Sequence, residues 1–396
     1  MKRTALILLF LLGRTPALPA EEKLALSPQQ AEAIDAVVQR EMERLHIPGL
    51  SLAIARGGVL VHSRVFGRAD VENDVPARPE TRFRTASVAK SLTATAVMRL
   101  VEKGQLDLDA PIQKYCPAFP EKPWPVTARQ LLTHTAGVRH YSRPGESRGT
   151  DHFFTVADSL RLFKDDPLLF EPGTQFGYST YGYNVLGCAI EGASGMDYDT
   201  FLAKAVLGPA GMTATGPDDQ FLILPGRANG YMVLSEEDLR GLPPSVRSQA
   251  KPGQLLNAPL HDTSMKRPAG GLLSTAEDLA RFALAFEAGK LVSPDTVRQM
   301  WTVQKTRDGA DITTPWGPLG IGWFVKKNGP LTEIYSSGGQ IGGRSSLYVY
   351  PESGTVLAVM TNLTNAEIVP MEREILQILM PEVPVEPDRN KNPGQP

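Results

Sequence analysis

The sequence predicts an α/β (α+β) protein: an antiparallel sheet drawn from both ends of the chain and flanked by helices, with an all-helical lobe inserted between its halves. Three observations predict it. Near the N-terminus, residues 50–56 and 59–65 are strand-like runs joined by Gly57-Gly58, a two-residue hairpin signal. Towards the C-terminus, strand-like runs return at 320–325, 331–335, 345–350 and 355–361. Between these groups the apolar spacing is helical, and Pro and Gly recur at the joints, as in Pro172-Gly173 and Pro209-Ala210-Gly211.

Met1-Lys2-Arg3 is basic, 4–12 is apolar but too short to cross a bilayer, and 15–20 is small and Pro-containing. This reads as a secretory signal peptide (1–20) cleaved near Ala20, which implies a periplasmic or secreted protein without a stable membrane anchor. Ser27-Pro28 starts a helix through Leu45, with Ala31, Ile34, Val37, Val38 and Met42 as its apolar stripe. Pro48-Gly49 ends it and the hairpin follows. From Val88 to Val101 the chain is Ala-rich and apolar on nearly every face, which suits a helix inside a protein, and Gly104 stops it. Helices are then expected at 127–135, 156–163, 181–194, 276–287 and 294–301, and a terminal one at 366–380. One domain of 27–380 results, with a sheet lobe of 27–86 and 302–380 and a helical lobe of 87–301. The tail 381–396 is Pro-rich, charged and without apolar period, and reads as disordered.

A formal net charge of −2 with no basic stripe excludes nucleic acid as the expected partner. The two cysteines, Cys116 in a Tyr-Cys-Pro loop and Cys188 in an apolar helix, read as buried free thiols. The six histidines form no close-spaced ligand pair, so no metal site is expected, and no cofactor motif is present.

Three stretches carry chemistry. In Thr85–Lys90, Ser87 and Lys90 are three residues apart and share a helical face. A serine at a helix start, below an amine whose burial disfavours its charge, is a way to build an activated nucleophile. In 176–183 (Phe-Gly-Tyr-Ser-Thr-Tyr-Gly-Tyr), a loop tyrosine before an apolar helix can point its hydroxyl into a cleft and share the serine proton. Chemistry alone does not choose among Tyr178, Tyr181 and Tyr183. In 335–343 (Tyr-Ser-Ser-Gly-Gly-Gln-Ile-Gly-Gly), glycines at a strand end let backbone approach a ligand and offer it N–H groups.

In this order the three stretches resemble the penicillin-recognising serine hydrolases. The finer wording resembles the class C β-lactamase and peptidase S12 family. The blocks that carry this likeness are 83–90 (Phe-Arg-Thr-Ala-Ser-Val-Ala-Lys), 131–138 (Leu-Leu-Thr-His-Thr-Ala-Gly-Val), 172–179 (Pro-Gly-Thr-Gln-Phe-Gly-Tyr-Ser) and 269–279 (Ala-Gly-Gly-Leu-Leu-Ser-Thr-Ala-Glu-Asp-Leu). Within the family, 69–73, 137–141 and 159–164 are similar to the mitochondrial serine β-lactamase-like subgroup and its bacterial relatives. The likeness covers roughly Ala31 to Met380 and implies a β-lactamase/transpeptidase-like fold. It also implies Ser87 as acylated nucleophile, Lys90 as its proton acceptor and Tyr178 as the group that protonates the leaving nitrogen. The backbone N–H groups of Ser87 and Gly339 would form the oxyanion hole. Thr180, Ser336, Ser337 and Gly338 would meet the substrate.

Two positions depart from the family pattern. Thr180 stands where Asn is usual, although the mitochondrial subgroup is similar in carrying threonine. Ser336 stands where Lys or His is usual, which removes the partner of a substrate carboxylate. The expected function is a secreted serine hydrolase acting through an acyl-serine on an amide bond, with a peptide or other small molecule as substrate. A carboxylesterase and a self-assembling scaffold are the alternatives. The subgroup includes members that polymerise, which implies a homo-oligomer as a further partner.

Overall fold

The computed structural model describes residues 24–143, 145–241 and 244–382. The expected signal peptide and most of the expected disordered tail lie outside these residues. No helix among the described residues is long and apolar enough to cross a membrane.

Helix α1 (Pro28–Leu45) starts where expected, because Ser27 and Gln30 cap each other reciprocally and Pro28 occupies the first turn. Strands β1 (Gly49–Arg56), β2 (Val59–Asp70) and β3 (Val75–Pro76) follow. The chain returns to the same sheet with β4 (Phe324–Asn328), β5 (Leu331–Gln340), β6 (Gly343–Tyr350) and β7 (Thr355–Thr361). The sheet order is β4-β5-β6-β7-β1-β2-β3, with every neighbouring pair antiparallel. The two chain ends meet at β1 and β7, from Leu50 opposite Thr361 to Arg56 opposite Thr355.

Alternation along these central strands decides which core each side chain joins. Leu50, Leu52 and Ile54 of β1, with Leu357 and Val359 of β7, face α1 and the terminal helix. Ala53, Ala55, Val356, Ala358 and Met360 face the larger core shared with the helical lobe. Both faces are covered, so β1 and β7 are buried along almost their whole length and read as mainly apolar runs, broken in β1 by Ser51.

In the helical lobe, α2 (Ala89–Glu102) is buried at every residue from Ala89 to Met98. Helix α3 (Thr180–Ser194) is held at its start by the Ser179 hydroxyl, which accepts from Gly182 N at 2.9 Å. Helix α4 (Ala276–Glu287) lies where expected, but it packs on β1, β2 and β7, so it sits with the sheet and not with the helical lobe expected to run to residue 301. The terminal helix is α5 (Val369–Leu379), which packs on α1.

Three expectations change. Strand β5 does not stop at Tyr335 but runs on through Gln340, because its Gly-rich half stays paired with β6 from Ser336 opposite Leu347 to Gln340 opposite Gly343. The stretch 320–323 is not strand. Gly322 has φ 75°, and a Cβ there would stand 2.4 Å from the Ala94 Cβ, so this segment is a tight turn against α2. Cys116 and Cys188 are not free thiols: they form a disulfide. The pair is hidden in the sequence because 72 residues separate it. What brings it together is a close backbone approach one turn further along α3. A Cβ on Gly192 would stand 1.8 Å from the Tyr115 carbonyl oxygen, so only glycine lets the Tyr115-Cys116 loop reach the helix.

Candidate active site

Ser87 sits on a 3-10 turn (Ala86–Val88) that runs directly into α2. The turn is pinned from two sides. Thr85 N donates to the Leu272 carbonyl at 2.9 Å, and the Ser345 hydroxyl of β6 donates to the Thr85 carbonyl. Gly338 of β5 presses against the serine itself, since a Cβ there would stand 2.2 Å from Ser87 N. Ala86, the residue before Ser87, has φ 44°, a left-handed conformation unfavourable for alanine. Such strain persists only where surrounding packing over-determines the backbone, as it does here.

Three side chains converge. The Lys90 Nζ donates to Ser87 Oγ at 3.2 Å and to the Ala269 carbonyl at 2.8 Å. The Tyr178 hydroxyl lies 2.7 Å from Ser87 Oγ. Lys90 is 5% exposed and has no carboxylate partner among the described residues, and burial lowers its pKa from 10.5 to about 7. Burial pushes Tyr178 up to about 12, so its phenol keeps its proton at neutral pH. A half-neutral amine beside a serine hydroxyl can accept the serine proton, and a neutral phenol on the other side can deliver one.

The Tyr178 loop is held by two histidines to which the sequence reading gave no role. His134 Nδ1 accepts from Ser179 N at 3.1 Å, and the His134 carbonyl accepts from Gly177 N at 2.8 Å. The imidazole lies 4.5 Å from the Tyr178 ring, centroid to centroid. His140 Nδ1 accepts from Thr180 N at 3.2 Å. Burial lowers both pKa values, that of His140 to about 3, so both rings are neutral acceptors. His134 belongs to the 131–138 block, which was the available signal. A second buried lysine, Lys266, is also lowered to about 7, by burial and then by the charges of Arg84 and Lys90.

Ser87, Lys90 and Tyr178 line a cleft together with His134, Tyr183, Ser336, Ser337 and an apolar wall. That wall includes Trp316, Leu319 and Phe324. The Trp316 ring lies 5.3 Å from that of Tyr178 and 6.0 Å from that of Phe324, and nothing in the sequence pattern pointed to it. Of the expected substrate residues, Ser336 and Ser337 are in the lining. Gly338 lies beneath, against Ser87, and Gly339 follows it in β5. Thr180 is buried in the first turn of α3, where its side chain hydrogen-bonds that of Tyr178.

The β-lactamase family profile matches residues 34–379.

The chain belongs to the β-lactamase family.

Among relatives, it is 30% identical to the mitochondrial serine β-lactamase-like protein LACTB of Homo sapiens, over 86% of this chain and 75% of that protein. Among solved structures, the octameric penicillin-binding protein homologue from Pyrococcus abyssi superposes with a TM-score of 0.72 at 26% identity, covering 88% of this chain and 76% of the other. The D-amino acid amidase from Ochrobactrum anthropi gives a TM-score of 0.75 at 23% identity, over 89% of this chain and 99% of that one, a likeness of fold. This is therefore a serine hydrolase of the β-lactamase fold, with a large antiparallel sheet flanked by helices.

Proposed function

We propose that this hydrolase cleaves an amide bond, a peptide bond foremost, through an acyl-serine on Ser87. The observation that carries the reading is the placing of a desolvated, unpaired Lys90 amine 3.2 Å from Ser87 Oγ, with the Tyr178 hydroxyl 2.7 Å away on the same oxygen. Lys90 takes the Ser87 proton as Oγ attacks the carbonyl carbon. The carbonyl electrons move onto oxygen, where the N–H groups of Ser87 and Gly339 meet the negative charge. On collapse the C–N bond breaks, and Tyr178 gives its proton to the leaving nitrogen and regains one from Lys90. Water then attacks the ester, its proton leaves by the same two groups, and the acid is released with Ser87 restored.

Export to the periplasm or beyond belongs to the same proposal. The basic-apolar-small pattern of residues 1–20 supports it, as does the Cys116–Cys188 disulfide, a bond that persists in oxidising compartments.

The test is intact-protein mass spectrometry after incubation with a fluorophosphonate, and then with a peptide library, a p-nitrophenyl ester and a cephalosporin. The expected result is a single phosphonyl adduct on Ser87 and faster turnover of peptides than of the other two. Absence of an adduct on folded protein overturns the acyl-enzyme reading. Preferred ester turnover overturns the amide assignment.

A further inference from the structure

The described lining of the cleft carries few charged groups. No carboxylate is among its described lining residues. Two of those residues can carry positive charge, Lys90 and His134. Both are committed: Lys90 to Ser87 and the Ala269 carbonyl, and His134 to Ser179 N as a neutral acceptor. The cations behind the site do not enter the lining. Arg84 is paired with Asp218 at 2.9 Å and donates to the Ile341 carbonyl at 2.7 Å, and Lys266 is buried beside them.

Ser336 marks the end of the cleft where this neutrality matters. It lies in β5 three positions before Gly339, roughly 10 Å along the strand. Beside it the wall is aromatic. Trp316 and Phe324 line the cleft with Ser336, and the Phe324 ring is backed, 5.1 Å away, by that of Tyr335, which points to the face of β5 opposite Ser336. The Tyr335 hydroxyl donates to the Trp316 carbonyl, which fixes that segment against the strand. A carboxylate brought here would lose water and gain the Ser336 and Ser337 hydroxyls, and the one lysine in the described lining, Lys90, is already held by Ser87 and the Ala269 carbonyl. An aromatic or aliphatic side chain would gain the faces of Trp316 and Phe324.

We infer that the substrate segment lying over Ser336, Trp316 and Phe324 is uncharged and apolar, so that this site takes an internal or amide-capped peptide segment and rejects a terminal carboxylate. This rests on the amide-hydrolase reading for its setting, but its test reads binding and not turnover.

The Ser87→Ala protein is titrated by calorimetry with N-acetyl-Ala-Phe-amide and with N-acetyl-Ala-Phe, which differ only in the terminal group. The expected result is that the amide binds about tenfold tighter or more, the order expected for burying a charge without a partner. Replacing Phe by Ala in the amide weakens binding by about tenfold, through loss of the aromatic contact. Adding Ser336→Lys, or Ser336→His as the smaller change, brings the free acid level with the amide or past it. Equal or tighter binding of the free acid by the Ser336 protein overturns the inference. So does an unmoved ratio in both Ser336 variants, provided their single-substitution forms still take up fluorophosphonate on Ser87. The two proposals fail separately: missing phosphonyl label on wild type strikes the acyl-enzyme reading, whereas the amide-to-acid ratio needs no acylation.

Discussion

Two buried polar clusters lie on opposite faces of β5 and β6, and they are built to opposite rules. On one face, Ser336 and Gly338 look towards Ser87, where the Lys90 amine has no carboxylate among the described residues within reach. On the other, Glu333 of β5 accepts from Arg373 of α5 at 2.7 Å and from the Tyr350 hydroxyl at 2.5 Å. Beside it the buried Glu372 of α5 accepts from Tyr348 at 3.0 Å and from the Ser346 hydroxyl. A buried charge that is paired and hydrogen-bonded locks an element in place, here α5 onto the sheet. A buried charge left without a counter-ion shifts its pKa towards neutrality and becomes available for proton transfer.

The largest effect that sharpens this contrast lies in the unpaired cluster. Ser87→Ala lowers kcat by about 10⁴- to 10⁶-fold, and Lys90→Met in the same chain adds little, because nucleophile and base act as a unit. Turnover of a reporter substrate by the two single variants and the double variant checks it. Losses that multiply would separate the pair and break the comparison. Thermal unfolding of Ser87→Ala stays within a few degrees of the parent, since the hydroxyl supports chemistry and not packing.

In the paired cluster the effect falls on stability. Arg373→Met strands the carboxylate of Glu333, which is 1% exposed, and costs about 3–5 kcal/mol by denaturant unfolding. Fluorophosphonate labelling of the protein that remains folded is unchanged. A smaller loss comes from replacing both cysteines by alanine, which costs about 2–4 kcal/mol through the freed 72-residue loop. That loop joins the start of the helical lobe to α3, so the loss appears as earlier unfolding with the Ser87 label intact at lower temperature.

What the sequence made legible follows from contact range. Ser87 and Lys90 are three residues apart on one helical turn, so spacing alone placed them together. The strands of β1 and β7 were legible because both are buried on both faces and read as mainly apolar runs, with Ser51 the polar exception in β1. Tyr178 was not separable by chemistry from Tyr181 and Tyr183, and needed the family resemblance. The structure shows why only one serves: Tyr181 stacks on Phe163 at 4.3 Å, Tyr183 donates to the Leu132 carbonyl, and Tyr178 alone reaches Ser87. The disulfide, the His134 and His140 clasp and the Trp316 wall depend on segments far apart in sequence. No local pattern encodes a contact between Gly192 and Tyr115, or between Trp316 and Tyr178. The second half of β5 was missed for another reason. Its glycines signal a turn by composition, yet their pairing with β6 keeps them in the strand.

The last effect concerns pH, and it reads the unpaired cluster twice. Lys90 acts as a base only without its proton, and its pKa of about 7 sets the midpoint. The labelling rate of Ser87 therefore rises about tenfold per unit as pH increases towards 7 and levels off above it. Tyr178, at about 12, stays protonated across this range and adds no second limb near neutrality. Stability carries the same signature with a worked sign. The folded pKa is depressed from 10.5, so between about 7 and 10.5 the unfolded chain binds the proton that the folded chain refuses. Stability contributed by Lys90 is present above 10.5, falls as pH falls through that window and is flat below about 7. Lys266 shares the window, so the parent alone does not isolate the effect. Lys90→Met does: its stability advantage over the parent is largest at pH 7 and below, and shrinks steadily as pH rises towards 10. An advantage independent of pH would mean that Lys90 is a charged, paired lysine after all, and the contrast between the two faces of the sheet would be lost.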